Sequence, residues 1–220
     1  MTNVSATPEK LAIRRGLRAA AEQALSEKGY KVERVFGEGK SSLRRITKGG
    51  VSKIVSIRTT QDRWIAFPRN KKDTGFVTLE EVDFVIAASV DDKHNPRIAQ
   101  IHMLPGDEMR ERFERAYQAR KSTGYTLPKG RGVWVSLYEQ EMNDPVNRVG
   151  AGAGIKHDAI AKLPLAPLTD PGDEDDDLEA DVEVAIAPNI EPPLTIAEAK
   201  RRLAQSLGVP VESISITING

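Results

Sequence analysis

Val82-Asp83-Phe84-Val85-Ile86-Ala87-Ala88-Ser89-Val90 is a near-continuous apolar run in the middle of the chain. Its length suits a strand, and a strand without polar alternation is covered on both faces. Layers must therefore lie above and below it. On its N-terminal side, Val51 to Thr59 carries Ile54, Val55 and Ile57, and Trp64-Ile65-Ala66-Phe67 continues the extended pattern. Gly49-Gly50 makes a tight turn back to a strand over Ser42–Thr47, and Tyr30 to Phe36 alternates as another. Thr7-Pro8-Glu9 opens a helix with a hydroxyl cap, a proline at the first helical position and an early acid. Leu17, Ala20, Ala21, Ala24 and Leu25 recur at helical spacing, so the helix is expected over 8–28, closed by Gly29.

On the C-terminal side, Arg97 to Leu104 reads as a strand, and Pro105-Gly106-Asp107 breaks the sheet and caps a second helix. Met109, Phe113, Ala116 and Tyr117 form the buried stripe of that helix. Residues 122–132 read as a loop, and Gly132 to Tyr138, with Trp134 and Leu137, packs back as strand or helix. The expected fold is α/β (α+β): a mixed central sheet flanked by helices, with a small C-terminal strand–helix–strand element after an acidic linker. Three regions follow: a basic body over 1–141, a flexible Gly/Pro/acidic linker over 142–180, and a β-α-β element over 181–220. In the last, Val182, Val184 and Ile186 alternate, Thr195 to Glu198 is a capping box, and Ile214, Ile216 and Ile218 alternate again.

The chain has no cysteine, which removes disulfides, thiolate metal sites and cysteine nucleophiles and fits a reducing, cytoplasmic setting of bacterial style. No apolar run approaches the roughly 20 residues of a membrane span, and Met1 to Lys10 has no signal core. A formal net charge of zero conceals a split. Residues 1–163 hold 29 Lys and Arg against 20 Asp and Glu, a net of +9, and residues 164–220 hold 3 against 12, a net of −9. Such asymmetry points to a polyanion partner or to self-masking.

Between Gly39 and Gln61 stand Lys40, Arg44, Arg45, Lys48, Lys53 and Arg58, and no acid. Arg63, Arg69, Lys71 and Lys72 follow, with only Asp62 among them. Basic runs most often just solvate exposed strands. Cations on one sheet face would instead neutralise phosphates and release counterions. The nucleic-acid reading requires these side chains to converge on one concave surface.

The order of helix, strands, a strand with a hydrophobic–polar–basic ending, Trp64 and then a buried strand resembles the PD-(D/E)XK, or restriction-endonuclease-like, superfamily over residues 8–138. In active members an acid and an acid–x–lysine triplet hold a divalent metal. The matching strand here is Ile54-Val55-Ser56-Ile57-Arg58-Thr59-Thr60, with Glu38 as candidate first acid, Ser56 in the acid slot and Arg58 in the lysine slot. A site without the second carboxylate loses a hard ligand, and an arginine cannot act as base. The resemblance therefore implies a catalytically degenerate member that keeps a basic cleft, with Arg58 as a phosphate fork. No cofactor or metal is expected. A Mg²⁺-dependent nuclease using Glu38, Asp62 or Asp83 ranks below this reading.

Other features carry less. Asp91, Asp92 and His94 read as a solvated loop, His102 as a packed or hydrogen-bonded core residue, and Gly150 to Gly154 as a hinge without a phosphate-loop ending. Trp64 and Trp134 are expected in the core, with base stacking the less favoured role. The leading expectation is a nucleic-acid-binding protein, DNA rather than RNA, with an inactive nuclease-like core. The alternative is an adaptor acting through residues 181–220, by homodimerisation or a protein partner. Under the first, the acidic segment competes with nucleic acid for the basic body. Deleting residues 165–220 should then tighten oligonucleotide binding, and unchanged affinity in an anisotropy titration would discard masking.

Overall fold

The computed structural model describes residues 7–37, 41–126, 132–165, and then 196, 199, 200, 204 and 210–215. The chain divides into two compact units, Met1–Ala185 and Ile186–Gly220. In the first, helix α1 (Pro8–Glu27) precedes strands β1 (Lys31–Arg34), β2 (Leu43–Lys48), β3 (Val51–Thr60), β4 (Trp64–Pro68), β5 (Phe84–Val90) and β6 (Ile98–Pro105). Helix α2 (Gly106–Ser122), β7 (Gly132–Ser136), the short helix α3 (Ala153–Lys156) and β8 (Ala161–Pro164) complete it. In the second unit, Ile196, Ala199, Lys200 and Ala204 are helical and Val211–Ser213 forms a 3₁₀ turn. The expected flanking strands fall largely outside the described residues. None of the described helices is long and apolar enough to cross a membrane.

Six strands form a mixed sheet in the order β1-β2-β3-β5-β6-β8. β1, β2 and β3 are an antiparallel meander, β5 lies parallel to β3, and β6 and β8 add antiparallel neighbours. β5 is thus central and buried from Val85 to Val90, as its sequence requires. α1 covers one face: Leu17, Ala20, Ala21, Ala24 and Leu25 pack on Ile46, Val55, Ile57, Ile86 and Ile101. Its start follows the sequence, with the Thr7 hydroxyl accepting from the Lys10 amide at 3.3 Å and Pro8 beginning the helix. The other face meets α2 and a two-stranded sheet of β4 and β7, through Leu43, Val85, Ala87 and Leu104 against Phe67, Met109, Phe113, Val133 and Val135. Gly132 to Ser136 is therefore a strand.

Two expectations need correction. α2 starts at Gly106 with no side-chain cap; Asp107 lies in its first turn instead. Glycine is required there because a Cβ would stand 2.3 Å from the Val82 carbonyl oxygen. The linker does not begin at 142. Residues 146–148 form a 3₁₀ turn, α3 follows, and β8 pairs with β6 as a sheet edge. The glycines that suggested a hinge serve close packing. A Cβ at Gly150, φ +82°, would meet the Arg112 carbonyl oxygen at 2.4 Å. Gly150 also donates its amide to Glu141 at 2.9 Å, and Arg112 is buried against the Gly150 and Ala151 carbonyls. The acidic run at 173–177 lies outside the described residues.

Gly106→Ala should lower the unfolding free energy by about 2–4 kcal/mol, the cost of forcing a methyl group into packed backbone. Urea unfolding would check this; Gly124→Ala, where no atom stands within 4 Å of the added carbon and only the left-handed φ of +79° opposes it, should cost about 1–2 kcal/mol.

Candidate functional site

The sheet register decides where the cations point. Directly opposed residues on neighbouring strands share a face, and Val32, Ile46 and Lys53 are opposed in turn, as are Arg34, Arg44 and Val55. Ile46 and Val55 pack with α1, so Arg44, Lys48 and Lys53 lie on α1's side. Glu33, Arg45 and Ile54 form a row on the opposite side, as do Arg58, Ala87 and His102 further along. The expected single concave surface is not formed, because strand alternation sends adjacent cations to opposite faces.

Three of the named cations are structural. Arg44 is buried; its Nε lies 2.6 Å from Glu22 of α1, and its Nη1 donates to the Ser41 and Leu43 carbonyls. Arg69 pairs with Asp73 at 2.9 Å and Glu114 at 2.6 Å and stacks on Phe76 and Tyr117. Arg58 stacks over Phe67 at 4.3 Å and donates to the Thr78 hydroxyl at 2.7 Å. Thr78 has a φ of +65°, a strained conformation for a β-branched residue, so Arg58 braces a turn. Ser56 is fully buried with its hydroxyl on Ser42 at 3.3 Å. The slots that the resemblance assigns to Ser56 and Arg58 are thus occupied by packing; Glu38 and Lys40 lie outside the described residues.

Arg45, Lys48 and Lys53 differ. Arg45 and Lys48 are exposed and Lys53 is half-buried; Arg45 lies opposite Glu33, whose carboxyl Lys31 and, more weakly, Arg45 hold below its ordinary pKa. The Lys48 ammonium donates to the Lys28 carbonyl at 2.7 Å and lies over the Tyr30 ring, and that of Lys53 lies over Phe84 at 4.7 Å. β3 pairs with β5 only from Val55 onward. The end of the meander, with its Gly49–Gly50 turn, therefore projects past β5. Lys28 and Lys31 belong to the same projecting end, although Lys31 pairs with Glu33 at 2.8 Å. Sequence reasoning began its basic stretch at Gly39 and so missed both.

The acids proposed for metal chemistry are separated. Asp83 accepts the Ile54 amide at 2.8 Å, at one end of β3, whereas Asp62 accepts the Thr60 hydroxyl at 2.8 Å, beyond the other end. Six residues of strand place these two anchor points about 20 Å apart, too far to share an ion. Among the described residues no three His, Asp or Glu side chains cluster as metal ligands. Asp91 and Asp92 accept backbone amides of their own loop, as a solvated turn should.

His102 is buried in the core, as expected, and belongs to a polar chain. Its Nδ1 lies 2.8 Å from the His157 carbonyl oxygen, its Nε2 lies 2.8 Å from the Tyr138 hydroxyl, and that hydroxyl lies 2.6 Å from Ser89 Oγ. A carbonyl only accepts, so Nδ1 carries the proton and Nε2 accepts from Tyr138, which accepts from Ser89. Burial lowers the His102 pKa and favours this neutral form. Ser89 is fully buried, so the chain ties β5 and β6 to the segment after β7 and offers no accessible nucleophile. Nearby, burial would raise the Glu108 pKa, but donors from Lys156, His157 and Arg112 hold it at about 2.

The β4–β7 ribbon holds the second departure from expectation. Ile65, Phe67, Val133 and Val135 point into the core. Trp64 and Trp134 therefore point away from it; both are half-buried and belong to neither apolar cluster. β4 carries large apolar residues on both faces, Ile65 and Phe67 on one and Trp64 on the other, so alternation alone does not fix the direction of the ribbon.

No protein-family model, curated protein or solved structure matches this chain.

Acidification should destabilise the protein in two stages. The lowered His102 pKa contributes stability that is present above the ordinary value of 6.5 and lost as pH falls below it. The Glu108 contribution is present above 4.5 and lost as pH falls through about 2. Urea midpoints measured as a function of pH should show both, and Glu108→Gln should flatten the lower one.

Proposed function

We propose that this protein binds nucleic acid, holding the sugar–phosphate backbone around the projecting end of the β1–β2–β3 meander. The observation that carries this is the set Arg45, Lys48 and Lys53. Arg45 and Lys48 are exposed and Lys53 is half-buried. Arg45 lies opposite Glu33 and, after Lys31, helps hold that carboxyl below its ordinary pKa, and the three divide between the two faces of one exposed sheet end. The single concave surface expected from the sequence is absent, so the contact proposed is of a different mode, around an edge instead of in a cleft. A chain that wraps an edge meets phosphates on both faces, and sequence-independent affinity follows from neutralising them. The basic balance of residues 1–163 supports the same partner class through long-range attraction.

The core is read as endonuclease-like in outline and inactive. That outline rests on the resemblance drawn from the sequence. The slot residues support inactivity: Ser56 supplies no carboxylate and is sealed, and the Arg58 guanidinium keeps its proton and braces Thr78. Arg58 is accordingly a structural residue in this reading, and the phosphate contacts move outward to Arg45, Lys48 and Lys53.

The full chain should bind a labelled oligonucleotide with an affinity that falls steeply with salt. Replacing Arg45, Lys48 and Lys53 together by alanine should weaken binding at least about tenfold near 0.1 M salt and reduce the log–log salt slope by roughly 2 to 3, at 0.7–0.9 per lost phosphate contact. An unchanged slope in a folded triple variant would remove these residues from the interface.

A further inference from the structure

We propose that the outer face of the β4–β7 ribbon is a stacking platform for the bases of single-stranded nucleic acid, with Trp64 and Trp134 as its two aromatic surfaces. This extends the phosphate-binding reading to a second surface and rests on it for the class of partner.

The geometry comes from the register. Trp64 lies opposite Ser136, and Trp134 lies opposite Ala66. Each indole therefore faces a small residue across the ribbon, and the two indoles are diagonal neighbours. Diagonal positions on an antiparallel pair are about 7–8 Å apart, which suits aromatic groups that each take one base of a strand. Both indoles remain partly exposed, although Ser136 opposite Trp64 is itself buried. Neither tryptophan makes a ring–ring or cation–π contact among the described residues, and neither indole N–H donates a hydrogen bond there. A large aromatic that merely filled the core would point inward, as Phe67 does, edge-on to Phe113 with centroids 5.1 Å apart.

The ribbon is held rigid from beneath and from one side. Its inner residues are almost fully buried, and Arg120 of α2 donates to the Trp134 carbonyl at 2.6 Å. A fixed platform binds with less ordering cost than a loop. The charge around it selects the occupant. Exposed Lys71 and Lys72 lie in the turn that follows β4, whereas Arg63, which precedes Trp64, is taken up by stacking over the Tyr138 ring at 4.3 Å. Lysines at one end of a ribbon about 16 Å long complement the phosphates that flank stacked bases. Stacking on aromatic surfaces within a basic track is how single strands are held without sequence preference. In a duplex the base faces are already stacked on one another, so the platform discriminates for single strands.

The protein contains two tryptophans and four tyrosines, so fluorescence excited at the red edge, where tyrosine does not absorb, reports on the two tryptophans alone. Titration of the full chain with an oligodeoxythymidylate should quench that fluorescence and protect it from acrylamide, and a duplex of equal charge should do so weakly. Trp64→Ala and Trp134→Ala should each weaken single-strand binding roughly 5- to 100-fold, the range for loss of one stacked base, with the salt slope unchanged. Trp64→Phe and Trp134→Phe should retain most of the affinity, which guards against a fold defect in the alanine variants. Salt-dependent binding with no quenching and full affinity in the alanine variants would overturn the platform and leave the phosphate reading intact. No binding of any oligonucleotide at low salt would overturn both. Quenching by a proline-rich peptide or an oligosaccharide, but not by the oligonucleotide, would reassign the ribbon and likewise overturn the proposal.

Discussion

The parallel pairing of β3 with β5 imposes a constraint that most of this structure answers. Parallel neighbours cannot be joined by a tight turn, so the chain must leave the sheet after Thr60, cross one face and return at Phe84. A helix usually makes such a crossing. Here the crossing segment contains β4, a turn anchored by Asn70 and Asp73, and a 3₁₀ turn at Leu79–Glu81. A lone strand cannot satisfy its backbone, and β7 returns after α2 to pair with it. The resulting ribbon, with α2, covers the face of the sheet that α1 does not.

That solution has a chemical consequence. A crossover helix would put a narrow apolar stripe inward and a broad polar surface outward. A two-stranded ribbon instead divides its residues by alternation, with Ile65, Phe67, Val133 and Val135 in the core and Trp64, Ala66 and Trp134 on the other side, where Ser136 is nevertheless covered. The outer face is flat and partly aromatic. On the other strands, the same alternation explains why a dense run of arginines and lysines fails to make one basic face. Arg44 and Arg58 are adjacent in purpose on paper, yet one turns toward Glu22 under α1 and the other stacks on Phe67 beneath the ribbon.

Buried polarity is concentrated where this covering layer meets the sheet. Arg58 with Thr78, Ser56 with Ser42, and the Ser89–Tyr138–His102–His157 chain all satisfy groups removed from water. An unsatisfied member would cost about 1–3 kcal/mol, so these networks fix how the ribbon and the segment after β7 sit on the sheet. The Gly150–Gly154 stretch belongs to the same layer. It looked like a hinge because glycine and alanine permit flexibility, but the same small residues are what allow backbone to approach Arg112 and Tyr138 closely.

Local chemistry in the sequence determined the elements. The capped, alanine-striped first helix, the Gly49–Gly50 turn, the double-sided burial of Val85–Val90 and the buried position of His102 follow from propensity, periodicity and the cost of exposing apolar surface, all of which act over a few neighbours. The exclusion of cysteine chemistry and the split of charge at residue 163 are likewise properties of composition alone. Partnership was decided by tertiary structure. Which cations meet Glu22, Asp73 or Glu114, which face carries Trp64 and Trp134, and whether residues 142–165 join the sheet all depend on strand register. Register is fixed by contacts between residues far apart in the chain, and a one-residue slip would send every one of these side chains to the opposite face.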